Sequence, residues 1–153
     1  MKKFRFHLQK LLEYRKTLED KLLAELSVIR AELDHEQSRL VAFRRDKDLH
    51  SVRMRENLAN GSSEEIRDDF LYLSDLIRLI KQQEEIISKV EERRMRKTME
   101  VLEASKQRKS LEQLKEQKKI EHRKESERQE QNFLDDIATT RYSRVNKELR
   151  EAA

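Results

Sequence analysis

The first half of the chain carries apolar residues at alternating spacings of four and three positions. These residues share one heptad frame: Leu8, Leu12, Leu22, Leu26, Ile29, Leu33, Leu40, Phe43 and Met54. Such spacing is typical of a helix that packs one face against a second helix in a coiled coil. The same frame contains Arg15, Glu19, Glu36, Lys47 and His50. We therefore expect a long helix that pairs loosely at several layers.

The second half of the chain has a less regular pattern. A second seam is predicted at Ile66, Phe70, Leu73, Ile77, Ile80 and Ile87, fading near Arg94 and resuming after a phase change at Met95, Met99, Leu102, Leu111 and Leu114. A further apolar stripe lies about 100° away on the same helix, at Tyr72, Leu76, Leu79, Ile86 and Val90. Because one helix covers one stripe well, the other is an exposed binding face, part of a broad seam against Leu40, Phe43 and Leu49, or a homodimer interface.

A break between two helices is predicted around the only glycine. Gly61 or Asn60 can take the left-handed conformation that closes a helix, and Ser62 or Ser63 can cap the next one. The fold class is therefore all-α: a long antiparallel two-helix coiled-coil hairpin whose second helix is longer than the first. We expect a single hairpin domain over residues 1–153, with helix 1 at about 4–57, a turn at about 58–63 and helix 2 at about 64–149.

A short turn fixes the register of the two helices. Residue 60 minus k should lie opposite residue 62 plus k, which places Phe4 near residue 118. About 30 residues of the second helix would then lack a partner. Residues 116–132 contain one aliphatic side chain. Pairs of Glu with Lys or Arg could maintain a single helix there, but without burial we expect this part to fray alone and to become ordered in a partner.

Composition excludes most other architectures and most chemistry. Of 153 residues, 43% are charged, and there is one glycine, no proline and no cysteine. Sheets need turn residues that are missing here, and disulfides and thiolate sites are absent. No apolar run is long enough for a signal peptide or a membrane span, so we expect a soluble chain without membrane insertion.

No catalytic, cofactor or metal site is predicted. His7, His35, His50 and His122 are scattered without metal-ligand spacing, and each is expected to be a solvated side chain. A single glycine cannot form a phosphate-binding loop, and a two-helix protein offers almost no desolvated pocket that could shift a carboxylate pKa. We therefore expect a protein that is not an enzyme and binds no cofactor.

Charge is distributed unevenly along the chain. Residues 1–16 carry a net +5 and residues 93–128 a net +6, whereas residues 61–92 carry a net −5. The two basic stretches fall at the open end of the predicted hairpin. They are either solvated helix faces, a plug for an acidic cavity, or a nucleic-acid surface. Interleaved Glu residues and the lack of aromatic residues over 93–132 argue against nucleic acid as a partner.

The termini resemble a known family. Residues 4–15 (FRFHLQKLLEYR), residues 125–131 and residues 134–142 (LDDIATTRY) are similar to the flagellar export protein FliJ, as are the chain length and the central Asn-Gly break. The resemblance spans essentially the whole chain. It implies a cytoplasmic hairpin, similar to the central stalk of rotary ATPases, in the flagellar type III export apparatus, peripherally associated with the inner membrane.

The resemblance also implies partners and binding residues. The partners would be the hexameric flagellar export ATPase, a membrane export-gate protein and export chaperones, with the protein itself a monomer. The expected ATPase-binding residues are Phe4, Phe6, Leu8, Leu11, Leu12, Phe133, Leu134, Ile137, Arg141 and Tyr142. The expected gate-binding residues are Phe43, Leu73, Ile77 and Ile80, although Asp46, Glu84 and His50 depart there from the aromatic or neutral residues of some relatives.

Two other functions fit the residue pattern alone. One is a homodimeric coiled-coil scaffold in which residue 61 is a kink within one continuous helix. The other is a basic coiled coil that binds nucleic acid, which would associate with DNA or RNA in a strongly salt-dependent manner.

Overall fold

Two α-helices account for almost all of the described backbone. A computed structural model describes residues 3–151, with side chains described for residues 3–147. Helix α1 spans Gln9–Asn60 and helix α2 spans Ser63–Glu151, and no strand occurs in residues 3–151. The all-α prediction with a longer second helix is confirmed. Lys2, which was counted in the basic N-terminal run, lies outside the described residues.

The chain divides into two compact units. Thr17–Ser105 contains most of α1, the turn and the first half of α2, while Met1–Lys16 and Lys106–Ala153 together form the other unit. The single hairpin domain expected over residues 1–153 stays a prediction.

Within Thr17–Ser105 the two helices pair antiparallel in the predicted register. That register places Glu25 opposite Lys97 and His50 opposite Tyr72. Lys97 Nζ lies 3.0 Å from Glu25 Oε2, and the ring centroids of His50 and Tyr72 are 4.2 Å apart. Because these contacts join distant parts of one chain, residue 61 lies in a turn and is not a kink in a continuous helix.

The α1 frame predicted from sequence faces α2 along its whole length. All nine apolar frame residues are buried or half-buried, and Leu12, Leu26 and Leu33 are the most deeply buried of them. The five polar frame residues are also buried or half-buried. The predicted frame is therefore correct at its polar positions as well as at its apolar ones. Glu36, for example, accepts a hydrogen bond from Gln83 of α2 through its carboxylate and another through its backbone carbonyl.

The predicted α2 seam is correct at Ile66, Leu73, Ile80 and Ile87, but it is wrong at Phe70 and Ile77 and in its phase change near Arg94. The buried and half-buried positions run without a phase change through Ile66, Asp69, Leu73, Leu76, Ile80, Gln83, Ile87, Val90, Arg94, Lys97, Val101 and Ala104. Phe70, Ile77, Met95, Met99 and Leu102 are exposed instead. The inner face therefore takes residues from both apolar stripes, with Leu76 and Val90 buried and Tyr72, Leu79 and Ile86 exposed. Polar residues at Asp69 and Gln83 hid this frame, because each is paired with a polar group of α1.

The turn is tighter than predicted and is made differently. α1 continues to Asn60, and no residue among 3–151 has a positive φ, so neither Asn60 nor Gly61 is left-handed. The Gly61 amide donates to the Asn57 carbonyl at 2.6 Å, and a Cβ on Gly61 would lie 2.7 Å from that oxygen. Glycine is therefore required for close approach of the backbone and not for its dihedral angles.

Ser62 caps α2 through a reciprocal pair of hydrogen bonds. Its hydroxyl accepts from the Glu65 amide at 3.3 Å, and its amide donates to the Glu65 carboxylate at 3.0 Å. This capping box satisfies two donors that the first turn of a helix otherwise leaves free. The predicted cap is confirmed, with Ser62 as the capping residue.

Replacing Ser62 by alanine is expected to destabilise the turn by about 1 kcal/mol, because one capping hydrogen bond is lost. Ser63→Ala provides the matched control, since the Ser63 hydroxyl makes no hydrogen bond in the described structure. Thermal unfolding followed by circular dichroism measures both variants. Equal midpoints for the two variants would contradict the capping role.

In the other unit, the N-terminal segment packs against α2 before α1 begins. Residues 3–6 are not helical, and α1 starts at Gln9 rather than near residue 4. The Phe4 ring meets the His122 ring edge-on, with centroids 5.6 Å apart, so Phe4 reaches one turn further along α2 than residue 118. The reason is that a residue outside a helix can advance by up to about 3.3 Å, whereas a helical residue advances by about 1.5 Å.

The described side chains beyond Ser126 in α2 are not buried. Every side chain from residue 127 to residue 147 is exposed, whereas His122 and Ser126 are still half-buried. This agrees with the predicted unpartnered end of the second helix. We call residues 127–147 the arm.

Candidate protein-binding surfaces

Three of the four expected gate-binding residues belong to the helix pair. Phe43, Leu73 and Ile80 are half-buried between α1 and α2, and the Arg39 guanidinium lies over the Phe43 ring at 5.9 Å from its centroid. Ile77 is 57% exposed. Ile77 is therefore the most exposed residue of this group and the most accessible to a partner. The other three residues pack between the two helices.

The polar residues beside this group connect the two helices. Tyr72 donates to the Asp46 carboxylate at 2.6 Å, which raises the pKa of the Tyr72 hydroxyl above its usual value. The Arg44 guanidinium lies 2.7 Å from Glu84, and His50 Nε2 lies 3.5 Å from Asp69. Asp46, Glu84 and His50, which differ from the residues of some relatives, therefore form contacts between α1 and α2. His50 is half-buried against Tyr72, so its expected solvated state is wrong.

Two carboxylates on α1 titrate below their usual range. The hydrogen bond from Lys97 is the main cause of the lowered Glu25 pKa, and hydrogen bonds from Gln83 and then His35 lower the Glu36 pKa. The same contacts with Glu100 and Glu25 raise the pKa of Lys97. The charged forms of Glu25, Glu36 and Lys97 are therefore favoured where α1 packs against α2.

We expect the unit Thr17–Ser105 to lose stability as the pH falls below 4.5, the ordinary value for these carboxyls. A group with a lowered folded-state pKa binds fewer protons folded than unfolded, so its contribution is present above that value and is lost on acidification. Thermal midpoints measured from pH 7 downward should fall less steeply for Glu36→Gln than for the parent chain. The exposed Glu85→Gln is the control, and equal slopes for Glu36→Gln and the parent would contradict the role of Glu36.

The expected N-terminal ATPase-binding residues are mostly covered. Phe6 and Leu12 are buried, Phe4 and Leu8 are half-buried, and Leu11 is exposed. Phe4 lines a shallow groove with Ile120, His122 and Arg123 of α2. His122 is half-buried there, against the expectation of a solvated side chain. These residues mainly fasten the N-terminal segment to α2.

The expected C-terminal residues are all exposed. Phe133, Leu134 and Tyr142 are each more than 60% exposed, and Ile137 and Arg141 are exposed as well. The structure therefore does not bring the two halves of the expected ATPase site together within the chain. The N-terminal half packs on α2 before residue 127, and the C-terminal half lies beyond it.

One side of the arm is apolar except for one arginine. At about 100° per residue, five residues fall within an arc of about 120°. They are Phe133, Leu134, Ile137, Arg141 and Val145, and we call them the arm face. The opposite side carries Asp135, Asp136, Thr139 and Ser143. Sequence reasoning missed Val145, although its spacing of four from Arg141 and eight from Ile137 was a usable signal.

Neither metal nor membrane sites are found in the described residues. Over residues 3–147 no three His, Cys, Asp or Glu side chains lie close enough to hold a metal ion. Over the same part of the chain, neither helix has an apolar segment of the length needed to cross a bilayer.

Comparison with known proteins gives one match. A family model described as "Flagellar FliJ protein" matches residues 4–147, which covers nearly the whole chain. Comparisons with curated proteins and with solved structures gave no match. The matched range contains both helices' described contacts, the turn and the arm. The chain therefore belongs to the FliJ family and is a protein associated with flagellar export.

Proposed function

We propose that this chain is a non-enzymatic stalk of the flagellar export apparatus, linking the hexameric export ATPase to a membrane export-gate protein. The observation that carries the proposal is the arm, which presents an apolar face on residues that are all exposed. Four of the five arm-face residues are large and apolar, and they lie within 13 residues, which is an unusual surface for a helix without an intramolecular partner. A protein partner that covers this face accounts for it.

The charge of the same unit favours an acidic partner surface. Residues 106–128 and the N-terminal segment belong to the basic stretches of the chain, and within the arm residues 137–147 carry three basic residues and no acidic one. Opposite charges on a partner speed association and fix orientation more than they raise affinity. We therefore propose that the arm and the adjoining basic helix bind an acidic cavity of the ATPase ring.

A different surface is proposed for the gate. Near the turn, Ile77 is exposed, and so are Leu71 and Phe70, the second of which lies two helical turns before Ile77 on the same face. Net negative charge over residues 61–92 distinguishes this surface from the basic unit. Two surfaces of unlike charge suit two unlike partners, and the chain would then transmit position or force between them without chemistry of its own.

The chaperone-escort role implied by the family needs a further surface. Helix α1 offers Val41, Leu49 and Val52, which are each more than half exposed and line one shallow groove with Arg45 and Asp48. An amphipathic helix of an export chaperone can lie along such a groove. We include chaperones as further partners on this basis.

The test is the ATP hydrolysis rate of the cognate purified export ATPase with and without this protein. The proposal predicts that the full chain binds the ring and raises its hydrolysis or its assembly into hexamers. Failure both to bind the ring and to change its activity would refute the stalk proposal. Bovine serum albumin at the same concentration controls for nonspecific stabilisation of a dilute enzyme.

A further inference from the structure

Charges of opposite sign lie at the two ends of the arm face. Going along the helix in steps of three and four, the chain has Glu127 and Glu130, then Leu134 and Ile137, then Arg141 and Arg144. At about 100° per residue all six lie within an arc of about 100°. One side of the arm is thus acidic at its start, apolar in the middle and basic at its end.

Three of the four charges make no ion pair within the described residues. Glu130, Arg141 and Arg144 have no opposite charge in contact, and Glu127 is paired only with Arg123 of the same helix, at 3.6 Å. All four side chains are exposed. A second helix can pack against residues at this heptad spacing and can form ion pairs with the unpaired charges.

This pattern is complementary to itself when one copy is reversed. An antiparallel pair centred between Asp135 and Asp136 sets Glu127 opposite Arg144, Glu130 opposite Arg141 and Leu134 opposite Ile137 of the other copy. Two-fold symmetry makes each of these pairings occur twice. A parallel pair would instead set Glu against Glu and Arg against Arg, which is unfavourable. We propose that the arm docks onto the arm of a second copy of this chain as an antiparallel two-helix interface.

The interface is small, so the dimer is weak. About 18 residues per copy take part, which is roughly five helical turns, and contacts of this size fall in the transient class. The chain is then a monomer when dilute, as the sequence led us to expect, and a dimer at roughly 10 to 100 μM or above. Self-pairing covers Leu134, Ile137 and Arg141, so a copy paired in this way cannot offer the same face to another protein.

Charge reversal tests the pairing. Arg141→Glu and Glu130→Arg should each weaken self-association at least about tenfold, because each creates two repulsive pairs in the dimer. When the two variants are mixed, every pairing across the interface is again Glu with Arg. Sedimentation equilibrium of each variant alone and of the equimolar mixture should therefore show two monomers and one heterodimer.

Arg128→Glu is the matched control. It makes the same charge change in the arm but lies on the opposite side of the helix and is exposed. Its association should equal that of the parent chain. Equal weakening by Arg128→Glu and Arg141→Glu would overturn the proposal, as would failure of the mixture to associate.

Disulfide cross-linking tests the relative orientation of the two arms. Because the chain has no native cysteine, only the introduced cysteines can react. A mixture of Glu130→Cys and Arg141→Cys should form disulfide-linked dimers, and neither variant alone should do so. Self-linking of either variant would overturn the antiparallel arrangement. A parent chain that stays monomeric up to about 1 mM would also overturn the proposal and would leave the arm face to a different protein. These assays contain no ATPase, so their outcome is separate from that of the stalk proposal.

Discussion

Replacing Leu76 by alanine is expected to lower the free energy of unfolding of the Thr17–Ser105 hairpin by about 2 to 4 kcal/mol. Leu76 is 3% exposed and lies on the inner face of α2, so the substitution removes buried methyl groups and leaves a cavity beside α1. The adjacent Ile77 is 57% exposed, and Ile77→Ala should stay within about 0.5 kcal/mol of the parent chain.

Chemical denaturation followed by circular dichroism at 222 nm measures this pair of variants. Both substitutions gain helix propensity, and the gain is larger for isoleucine, which is β-branched, but the difference is only a few tenths of a kcal/mol and is small against the loss expected at Leu76. A larger effect at Ile77 than at Leu76 would restore the seam inferred from sequence and contradict the frame in the structure.

Replacing Phe133 and Ile137 together by alanine is expected to abolish stimulation of the export ATPase while leaving the protein as helical as before. Both side chains are exposed on the arm face, so their removal opens no cavity in the chain. Truncation of central aromatic and aliphatic anchors in an interface typically costs about 2 kcal/mol or more each, which is a loss of binding of at least 100-fold. Alanine also favours helix, so helicity should not fall.

The matched control for this variant changes the other side of the arm. Asp136→Ala with Ser143→Ala alters two exposed residues opposite the arm face and should leave stimulation unchanged. Deleting residues 133–153 should likewise abolish stimulation and remove no more helix than the deleted segment itself. Loss of helicity elsewhere after this deletion would mean that the arm has a structural role, and full stimulation by the Phe133 and Ile137 variant would contradict its role in binding.

Much of the fold could be predicted because its main signals are local. The α1 frame is correct at both apolar and polar positions, since a long unbroken helix keeps its spacing from Leu12 to Met54. Ser62 and Glu65 are a capping box that can be read directly from the sequence. A short turn between long helices then fixes the antiparallel register.

The α2 frame could not be read in the same way because its inner face is partly polar. Hydropathy favours Phe70 and Ile77 over Asp69 and Gln83, yet the last two lie inside because α1 supplies partners for them. Gln83 bonds to Glu36, and Asp69 accepts from Asn57 at 2.7 Å. Such pairings depend on which residues of the other helix lie opposite, so they cannot be predicted from the sequence of one helix alone.

The candidate sites were predictable in location and less so in exposure. The family resemblance marked Phe133, Leu134, Ile137 and Tyr142, and all four are exposed. It marked Phe6 and Leu12 equally, but these are buried against α2 because the N-terminal segment folds back onto that helix. The terminal motifs that carry the resemblance thus include some residues that pack within the chain and others that are exposed and available for binding.

The reversal of the chain at Gly61 and Ser62 is the feature on which the two proposed binding surfaces depend. Spin labels on cysteines at Ala42 and Gln82, both exposed positions of the Thr17–Ser105 unit, measure it by pulsed electron paramagnetic resonance. Paired antiparallel helices predict a separation within one chain of about 15 to 25 Å, given helix axes about 8 to 10 Å apart and the label linkers. A separation near 60 Å, the length of about 40 residues of uninterrupted helix, would contradict the account.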